Sequence, residues 1–258
     1  MSKGCWITIL EKDEDKGRIL FESVRRFGLA ADGHFWSDDL ETFAWTSAIP
    51  NLTHPNCGVW VIAGTLESFR TPSIRYGLSL LAIAVQSQRG QGFQILLIPD
   101  ADGLTADALP TPLRDAMILP AATAPGAKII ARANLPIKPV TLPYRLNIFA
   151  LSGLGQWFEI GPASGCQWTG AMFGIDSGEI LAHGVGEDGR LPEKTILNYP
   201  MQGLKLQLGE QELTAWAVAN PLTENQSYFV KITGYPTTLL FGELSETDDA
   251  SMFRVQLQ

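Results

Sequence analysis

The sequence predicts an α/β domain with a mostly parallel sheet, followed by an all-β domain. In residues 1–135, continuous apolar strands alternate with helical patterns, which is typical of βαβ units. In residues 136–258, short strands are separated by glycine turns. That spacing indicates an antiparallel sandwich or barrel.

Three prolines mark the predicted boundary between the two parts. Pro136, Pro139 and Pro143 lie within residues 133–144. Proline lacks an N–H and restrains the residue before it, so this stretch is a poor helix and an extended linker is expected. We therefore predict two domains, residues 1–135 and 136–258, that meet near residues 134–144.

The first domain begins with a β-rich run over residues 5–10. Apolar residues at helical spacing predict a helix over residues 18–27. A short strand at 34–36 and a second helix over 40–49 are expected next. Residues 59–63 are continuously apolar, as in a strand covered on both faces of its sheet.

A helix over residues 73–87 is predicted from Thr71-Pro72, a pair typical of an N-cap and a first helical position. Its polar stripe is thin and consists of Arg75, Ser79 and Gln86. A helix that is apolar over most of its circumference is buried in its domain or in an interface. We therefore expect a homo-oligomer, with cover by the β-domain as the competing explanation.

The rest of the first domain is predicted to hold a buried strand over 93–98, a short helix over 112–119 and a last strand over 128–132. The helix over 73–87 is expected to cross between the two buried strands. Six residues are then expected to share one core: Trp60, Ile62, Leu81, Val85, Ile95 and Leu97.

The second domain is predicted to contain nine or ten strands. They include residues 146–151, 157–160, 171–175, 179–183, 204–208, 213–218, 228–232 and 238–241.

Composition excludes several classes of protein. The chain has 19 Lys+Arg against 27 Asp+Glu, a net charge of −8, so general nucleic-acid binding is not expected. Its beginning lacks the apolar segment of a secretory signal, and its apolar runs are shorter than the ~18 residues of a membrane helix. Three scattered cysteines without a CxxC pair indicate a reduced, cytoplasmic protein.

Two motifs in the second domain could carry chemistry. Gly184, Gly186 and Gly189 match G-x-G-x-x-G, but a dinucleotide fingerprint must open a helix, and a strand-like run follows here. A hairpin turn at residues 187–189 is the favoured interpretation. A catalytic pair of Cys166 and His183 needs only spatial proximity, but no helix start lies near this cysteine to lower its pKa, so a structural cysteine is favoured.

Acidic residues gather where the strands of the first domain should end. They are Asp13 and Asp15 after the first strand, Asp38 and Asp39 after the second, and Asp100 and Asp102 after residue 98. In an open α/β sheet, the carboxyl ends of the strands form the ligand crevice. Carboxylates there could hold Mg²⁺. Solvated acidic loops are the alternative explanation.

The order and spacing of these elements resemble a Toll/interleukin receptor (TIR) domain over the first ~135 residues. Residues 7–10 and 11–15 resemble the first strand and its acidic loop, and residues 34–39 the second strand and acidic turn. Residues 59–68 resemble the third strand with its serine-bearing loop, which contains Thr65 and Ser68. Residues 93–99 and 109–114 resemble the fourth strand and the proline-containing segment after it. The resemblance implies a TIR- or flavodoxin-like sheet.

TIR domains that cleave NAD⁺ resemble one another in a glutamate that begins the helix after the serine loop. Counting from Ser68, the corresponding place is near Arg75 and Tyr76, and residues 73–88 contain no Glu or Asp. A guanidinium cannot take a carboxylate's role beside a developing cation. We therefore assign no catalytic residue. The expected ligand-binding residues are Asp13, Asp15, Asp38, Asp39, Thr65, Ser68 and Asp100.

These observations favour a non-catalytic cytoplasmic module for binding or assembly, with a protein partner or a second copy of the chain. The alternative is an enzyme that acts on a nucleotide or a related small molecule in the acidic crevice, using Asp13, Asp38 or Asp100. The sequence identifies no cofactor and no metal ligands. Nucleic acid and membrane are not expected partners.

Overall fold

The computed structural model describes residues 3–121, 123–245 and 251–258. The chain divides into two compact units between Val140 and Thr141. The predicted linker, residues 134–144, contains this division. Within the described residues, no helix is both long and apolar enough to cross a membrane.

The first unit contains a parallel five-stranded sheet in the order β2-β1-β3-β4-β5. Its strands are β1 (Gly4–Ile9), β2 (Ala30–Phe35), β3 (Cys57–Gly64), β4 (Gln94–Pro99) and β5 (Met117–Ile118). Its helices are α1 (Glu14–Arg25), α2 (Ile49–Thr53), α3 (Pro72–Arg89) and α4 (Pro125–Ala133). The predicted α/β class is confirmed for this unit.

Local chemistry sets the ends of these helices. The Asp13 side chain accepts a hydrogen bond from the Lys16 N–H at 2.9 Å and so begins α1. Pro72 stands at the first turn of α3, where its missing N–H costs nothing. Gly90 follows α3 with a φ of 86°, a conformation that glycine adopts without steric cost.

The two long helices lie on opposite faces of the sheet. The β1-α1-β2 unit steps one way along the sheet and the β3-α3-β4 unit steps the other way, and both crossovers are right-handed by the general rule. On the face of α1 and α4, one core joins strand residues to helix residues. It includes Ile7, Val61 and Leu96 from the strands, Leu20 and Val24 from α1, and Ile129 from α4.

Alternate residues of the same strands point to the other face. All six residues predicted for a shared core are buried, with exposed fractions of 5% or less: Trp60, Ile62, Leu81, Val85, Ile95 and Leu97. The Trp60 indole N–H donates to the Thr8 hydroxyl at 2.8 Å. This buried pair satisfies two polar groups that the sheet would otherwise leave without a partner.

Helix α3 is covered by its own unit. Every residue from Tyr76 to Val85 is buried. Helix α2 and the short 3-10 segments Ala44–Ala48, Ser68–Arg70 and Thr111–Leu113 pack on it. The helix is therefore buried in its own domain, the first of the two expected locations, and α3 gives no support to a homo-oligomer.

Three predicted elements of the first unit are wrong. Residues 128–132 lie in α4 instead of a strand, because only one face of the segment, including Ile129, is buried. The predicted helix over 112–119 is the 3-10 segment at 111–113 followed by β5. The predicted helix over 40–49 is interrupted because Phe43 has a φ of 56°, which no right-handed helix contains.

The second unit consists of two antiparallel sheets, which confirms the predicted all-β class. The sheets run β10-β11-β8-β13-β14 and β6-β7-β12-β9. The nine strands of the described part are β6 (Tyr144–Leu151), β7 (Gly155–Pro162), β8 (Ala171–Ile175), β9 (Glu179–Glu187), β10 (Met201–Leu208), β11 (Gln211–Val218), β12 (Gln226–Thr233), β13 (Thr238–Glu243) and β14 (Met252–Gln256). Phe158 of one sheet packs on Phe173 of the other, with ring centroids 5.5 Å apart, as in a sandwich.

Candidate functional site

The candidate crevice of the first unit lies where the direction of the chain across the sheet reverses. Strands β1 and β3 are neighbours, and the chain leaves them toward opposite edges. In open α/β sheets, ligands bind outside the carboxyl ends of the strands at this point. Glu11 follows β1 here, and Thr65 follows β3.

A three-residue hydrogen-bond cluster joins the two loops. One carboxylate oxygen of Glu11 accepts from the Thr65 N–H at 2.7 Å and from the Thr65 hydroxyl at 2.8 Å. The Ser68 hydroxyl donates to the same oxygen. The hydroxyls of Thr65 and Ser68 are 2.8 Å apart. The cluster therefore holds the β1 and β3 loops together at the centre of the crevice.

The electrostatics of the cluster favour an ionised Glu11. Burial alone would raise the pKa of this carboxyl, because a charged group loses hydration. Hydrogen bonds from Ser68 and Thr65, together with the Lys16 ammonium, outweigh burial and lower the pKa below its ordinary value. Lys16 Nζ lies 3.9 Å from the second carboxylate oxygen, which is buried and accepts no hydrogen bond.

Two predicted ligand-binding residues act within α1. Asp13 is the N-cap of the helix. Asp15 pairs with Arg18 at 2.6 Å on the exposed helix surface. Both carboxylates also lie near the positive end of the helix dipole, which stabilises negative charge there.

Three further acidic residues hold loops around the crevice. Asp38 accepts from the Ser73 hydroxyl at 2.6 Å, and Asp100 accepts from the Leu66 N–H at 2.8 Å. Asp39 accepts from the Thr42 N–H at 3.0 Å, and this bond lowers the pKa of the Asp39 carboxyl. Asp100 therefore contacts the loop after β3 that contains Thr65 and Ser68. Asp38 instead contacts the first turn of α3.

Arg75 lies in the first turns of α3, seven residues after Ser68. Its guanidinium donates to the Phe69 carbonyl at 3.4 Å, directly after Ser68. Burial lowers the pKa of Arg75, because its charged form loses hydration. The position beside the serine loop is thus occupied by a half-buried cation.

Sequence reasoning missed Glu11, the residue at the centre of the cluster. Glu11 belongs to the acidic loop over 11–15 and is absent from the expected ligand-binding residues. The available signal was its position one residue beyond Leu10, where the first strand ends, opposite the threonine and serine that follow the third strand.

The glycine motif of the second unit does not open a helix. Gly184 and Gly186 lie inside β9, and residues 190–200, which follow the turn, form neither helix nor strand. The predicted hairpin and the strand-like run at 195–197 are therefore wrong, whereas the turn is present. A Cβ on Gly186 would come within 2.8 Å of the Pro192 ring, so this glycine lets the following loop pack on β9.

His183 and Cys166 have separate surroundings. Nδ1 of His183 lies 2.7 Å from the buried Tyr228 hydroxyl, and its ring meets the Trp216 ring edge-on. Burial lowers the pKa of His183 and raises that of Tyr228. Cys166 is exposed, and its N–H donates to the Ala163 carbonyl. His183 is therefore held in a partly buried aromatic group, while the Cys166 side chain is exposed to solvent.

The loop of residues 190–200 presents two large apolar side chains to solvent. Ile196 is 83% exposed and Tyr199 is 84% exposed. Tyr199 also has a φ of 46°, a left-handed conformation that is uncommon for a bulky residue. Strained backbone of this kind clusters at functional positions.

Hydrogen bonds hold this 190–200 loop in place at several points. The Asn220 side chain accepts from the Asn198 N–H at 2.8 Å and donates to the Ile196 carbonyl at 3.0 Å. The Thr195 hydroxyl accepts from the Val185 N–H at 2.8 Å. These hydrogen bonds fix the backbone that carries the exposed side chains of Ile196 and Tyr199.

A buried polar network fixes the turn before the loop. Glu159 is 2% exposed and accepts from the Gly189 N–H at 2.6 Å and from the Asn147 amide at 3.0 Å. Arg145 pairs with Asp188 of the same turn. The hydrogen bond from Gly189 to the buried Glu159 and the partly exposed Arg145–Asp188 pair together hold the turn.

The comparison with known proteins gives no family for the chain. No protein-family model matches it, and no curated protein matches it. Across the described ranges, no group of three or more His, Cys, Asp or Glu side chains is arranged to hold a metal ion.

Proposed function

We propose that the chain is a non-catalytic module for binding and assembly, with a TIR-like first unit. The observation that carries this proposal is how the seven expected ligand-binding side chains are used. Six of them take part in a hydrogen bond that caps a helix or holds a loop, and Asp15 forms an ion pair on the exposed surface of α1: the six are Asp13, Asp38, Asp39, Thr65, Ser68 and Asp100. Side chains that hold the structure in this way give the crevice a fixed surface, which suits binding better than catalysis.

Two features support the TIR-like part of the proposal. The strand order 2-1-3-4-5 is the flavodoxin-like order that the resemblance implies. Arg75, in place of a carboxylate, supports recognition over NAD⁺ cleavage, because a fixed cation beside the serine loop would repel a developing cation.

Assembly in this proposal uses the 190–200 loop and a second copy of the chain. The exposed Ile196 and Tyr199 supply apolar area, and tyrosine is enriched at the centres of interfaces. Charges of both signs lie beside them: residues 187–194 contain the acids Glu187, Asp188 and Glu193 and the bases Arg190 and Lys194. A two-fold interface brings a patch against itself, which requires both signs of charge on that patch. The chain as a whole, at −8, repels its copies elsewhere.

A cytoplasmic location belongs to the same proposal. The three cysteines are unpaired, and Cys166 is exposed to solvent. An exposed free thiol suits a reducing compartment.

The alternative function, an enzyme acting on a nucleotide or related small molecule, is favoured by the position of the crevice at the reversal point of the sheet. Incubation with NAD⁺ and Mg²⁺, followed by chromatography of released nicotinamide, separates the two functions. The proposal predicts the same release as in a protein-free control.

A matched pair of variants makes this test specific to the crevice. Asp38→Asn changes a crevice carboxylate, and Asp107→Asn changes an exposed acid elsewhere in the unit. Release that is lost in the first variant and retained in the second would overturn the non-catalytic proposal.

A further inference from the structure

A concavity of about 420 Å³ lies at the amino ends of β4 and β5, at the end of the sheet opposite the crevice. The last turn of α3, the turn before β4, the segment before β5 and the end of α4 surround it. Its volume falls within the range of small-molecule sites. We call it the amino-end pocket.

The floor of the amino-end pocket is apolar. Phe93 is 4% exposed and Ile95 is 5% exposed, and Met117 of β5 lies beside them. A thioether is flexible and polarisable, so a methionine wall adapts to an apolar ligand of varied shape. The floor therefore suits a hydrocarbon group.

Arg132 supplies a positive charge at the wall of the pocket. Its guanidinium donates to the Gln94 side-chain oxygen at 2.9 Å and contacts the Met117 sulfur at 3.2 Å. Both of these partners are uncharged, so the arginine charge is not neutralised by them. A guanidinium presents five N–H donors in a planar fork that fits a carboxylate.

The charge of the lining is opposite to that of the chain. Arg132 and Lys138 outnumber the acid Asp115 among the lining residues, on a chain of net charge −8. Gln86 adds an amide whose N–H₂ already donates to the Pro112 carbonyl at 2.9 Å. A local positive field on an acidic protein attracts anions to this place.

The outer wall is the chain that follows α4. A Cβ on Gly92 would come within 2.1 Å of the Lys138 carbonyl oxygen, so the backbone of this segment lies directly on that glycine. Leu135, Pro136 and Val140 of the same segment line the pocket. The missing side chain at position 92 thus permits a closed wall.

We propose that the amino-end pocket binds a small amphipathic carboxylate, with its hydrocarbon group on Phe93, Ile95 and Met117 and its carboxylate on Arg132. The apolar floor and a guanidinium whose two hydrogen-bond partners are uncharged together select this class. An uncharged molecule of the same size would leave the guanidinium without an anionic partner, and an anion without an apolar group would leave the floor uncovered.

Octanoate and 1-octanol form a matched pair of probes that differ in the charged group. Each is titrated into the full-length ¹⁵N-labelled protein, and the amide signals of Gly92 and Gln94 are followed by NMR. We expect saturable shifts with octanoate and an affinity for octanol lower by roughly tenfold, the equivalent of about 1.4 kcal/mol. Absence of saturable shifts, or equal affinities for the two probes, would overturn the proposal.

Variants test the role assigned to the arginine. Arg132→Gln should weaken octanoate roughly tenfold and leave octanol unchanged. Lys128→Gln removes an exposed positive charge from the same helix outside the pocket and should change neither affinity. If Arg132→Gln does not fold, Lys138→Gln at the exposed wall decides: weaker octanoate with unchanged octanol supports the site, and unchanged octanoate contradicts it.

Discussion

Glu11 accepts two hydrogen bonds from Thr65, one from its backbone N–H at 2.7 Å and one from its hydroxyl at 2.8 Å. These bonds connect the loops that follow β1 and β3, the two strands between which the chain reverses direction. Since Ser68 donates to the same carboxylate oxygen, the centre of the crevice is a closed hydrogen-bond cluster. The crevice is therefore a fixed surface in the proposed binding module.

Replacing Glu11 by glutamine should destabilise the first unit at neutral pH. The substitution keeps one acceptor oxygen but removes the charge that strengthens three hydrogen bonds and attracts Lys16. We expect a loss of roughly 1–3 kcal/mol in the free energy of unfolding, measured by urea denaturation. Glu67→Gln, in the same loop but exposed, is the control and should stay within about 0.5 kcal/mol of the natural protein.

The effect of Glu11→Gln should depend on pH in one direction. The pKa of Glu11 is lowered in the folded protein, so its ionised form stabilises the fold above the ordinary glutamate pKa of about 4.3. This stabilisation is lost as the pH falls through the lower folded value. The difference between natural protein and variant should thus be full at neutral pH and shrink below about pH 4. If the natural protein and Glu11→Gln differ in unfolding free energy by the same amount at neutral pH and below about pH 4, Glu11 is not ionised in the cluster.

Leu81 is fully buried in α3, so Leu81→Ala should leave a cavity in the core of the first unit. We expect a loss of roughly 2–5 kcal/mol in the free energy of unfolding. Ile19→Ala, at a position of α1 that is 65% exposed, should change stability by no more than about 0.5 kcal/mol. A measured loss below about 1 kcal/mol for Leu81→Ala would place this residue outside the core.

His183 should make the second unit less stable in mild acid. Burial lowers its pKa, and Nδ1 of its ring forms a hydrogen bond with the Tyr228 hydroxyl at 2.7 Å. Below about pH 6.5 the unfolded chain takes up a proton that the folded histidine resists, so stability falls. Thermal unfolding between about pH 7.5 and about pH 5.5 should show a smaller decline in His183→Gln than in the natural protein. The control His54→Gln should retain the full decline, and an unchanged decline in His183→Gln would argue against this role.

The sequence predicted the strands well because their patterns are local. The continuous apolar run at 59–63 and the helix over 73–87 correspond to β3 and α3 within one or two residues at each end. Residues 128–132 form part of a nine-residue helix with one buried face. A short apolar run of this kind fits both the helical period of about 3.6 residues and the strand period of about 2, so the sequence does not distinguish them.

The cover of α3 could not be predicted from periodicity. Its apolar circumference was correctly recognised, but the segments that cover it are short 3-10 turns with weak patterns of their own. The centre of the candidate site was missed for a related reason. Glu11 acquires its role through contacts with Thr65 and Ser68, more than fifty residues away in the chain.

The mass of the protein in solution tests the central claim most directly. The chain has a mass of 28.1 kDa, and light scattering over a micromolar dilution series should show a mass that rises toward twice this value with concentration. Tyr199→Ser should remain at 28.1 kDa, while Leu154→Ser, at another exposed apolar position, should associate like the natural protein. A constant mass of 28.1 kDa for the natural protein, or association of Tyr199→Ser equal to that of the natural protein, would contradict assembly through the 190–200 loop.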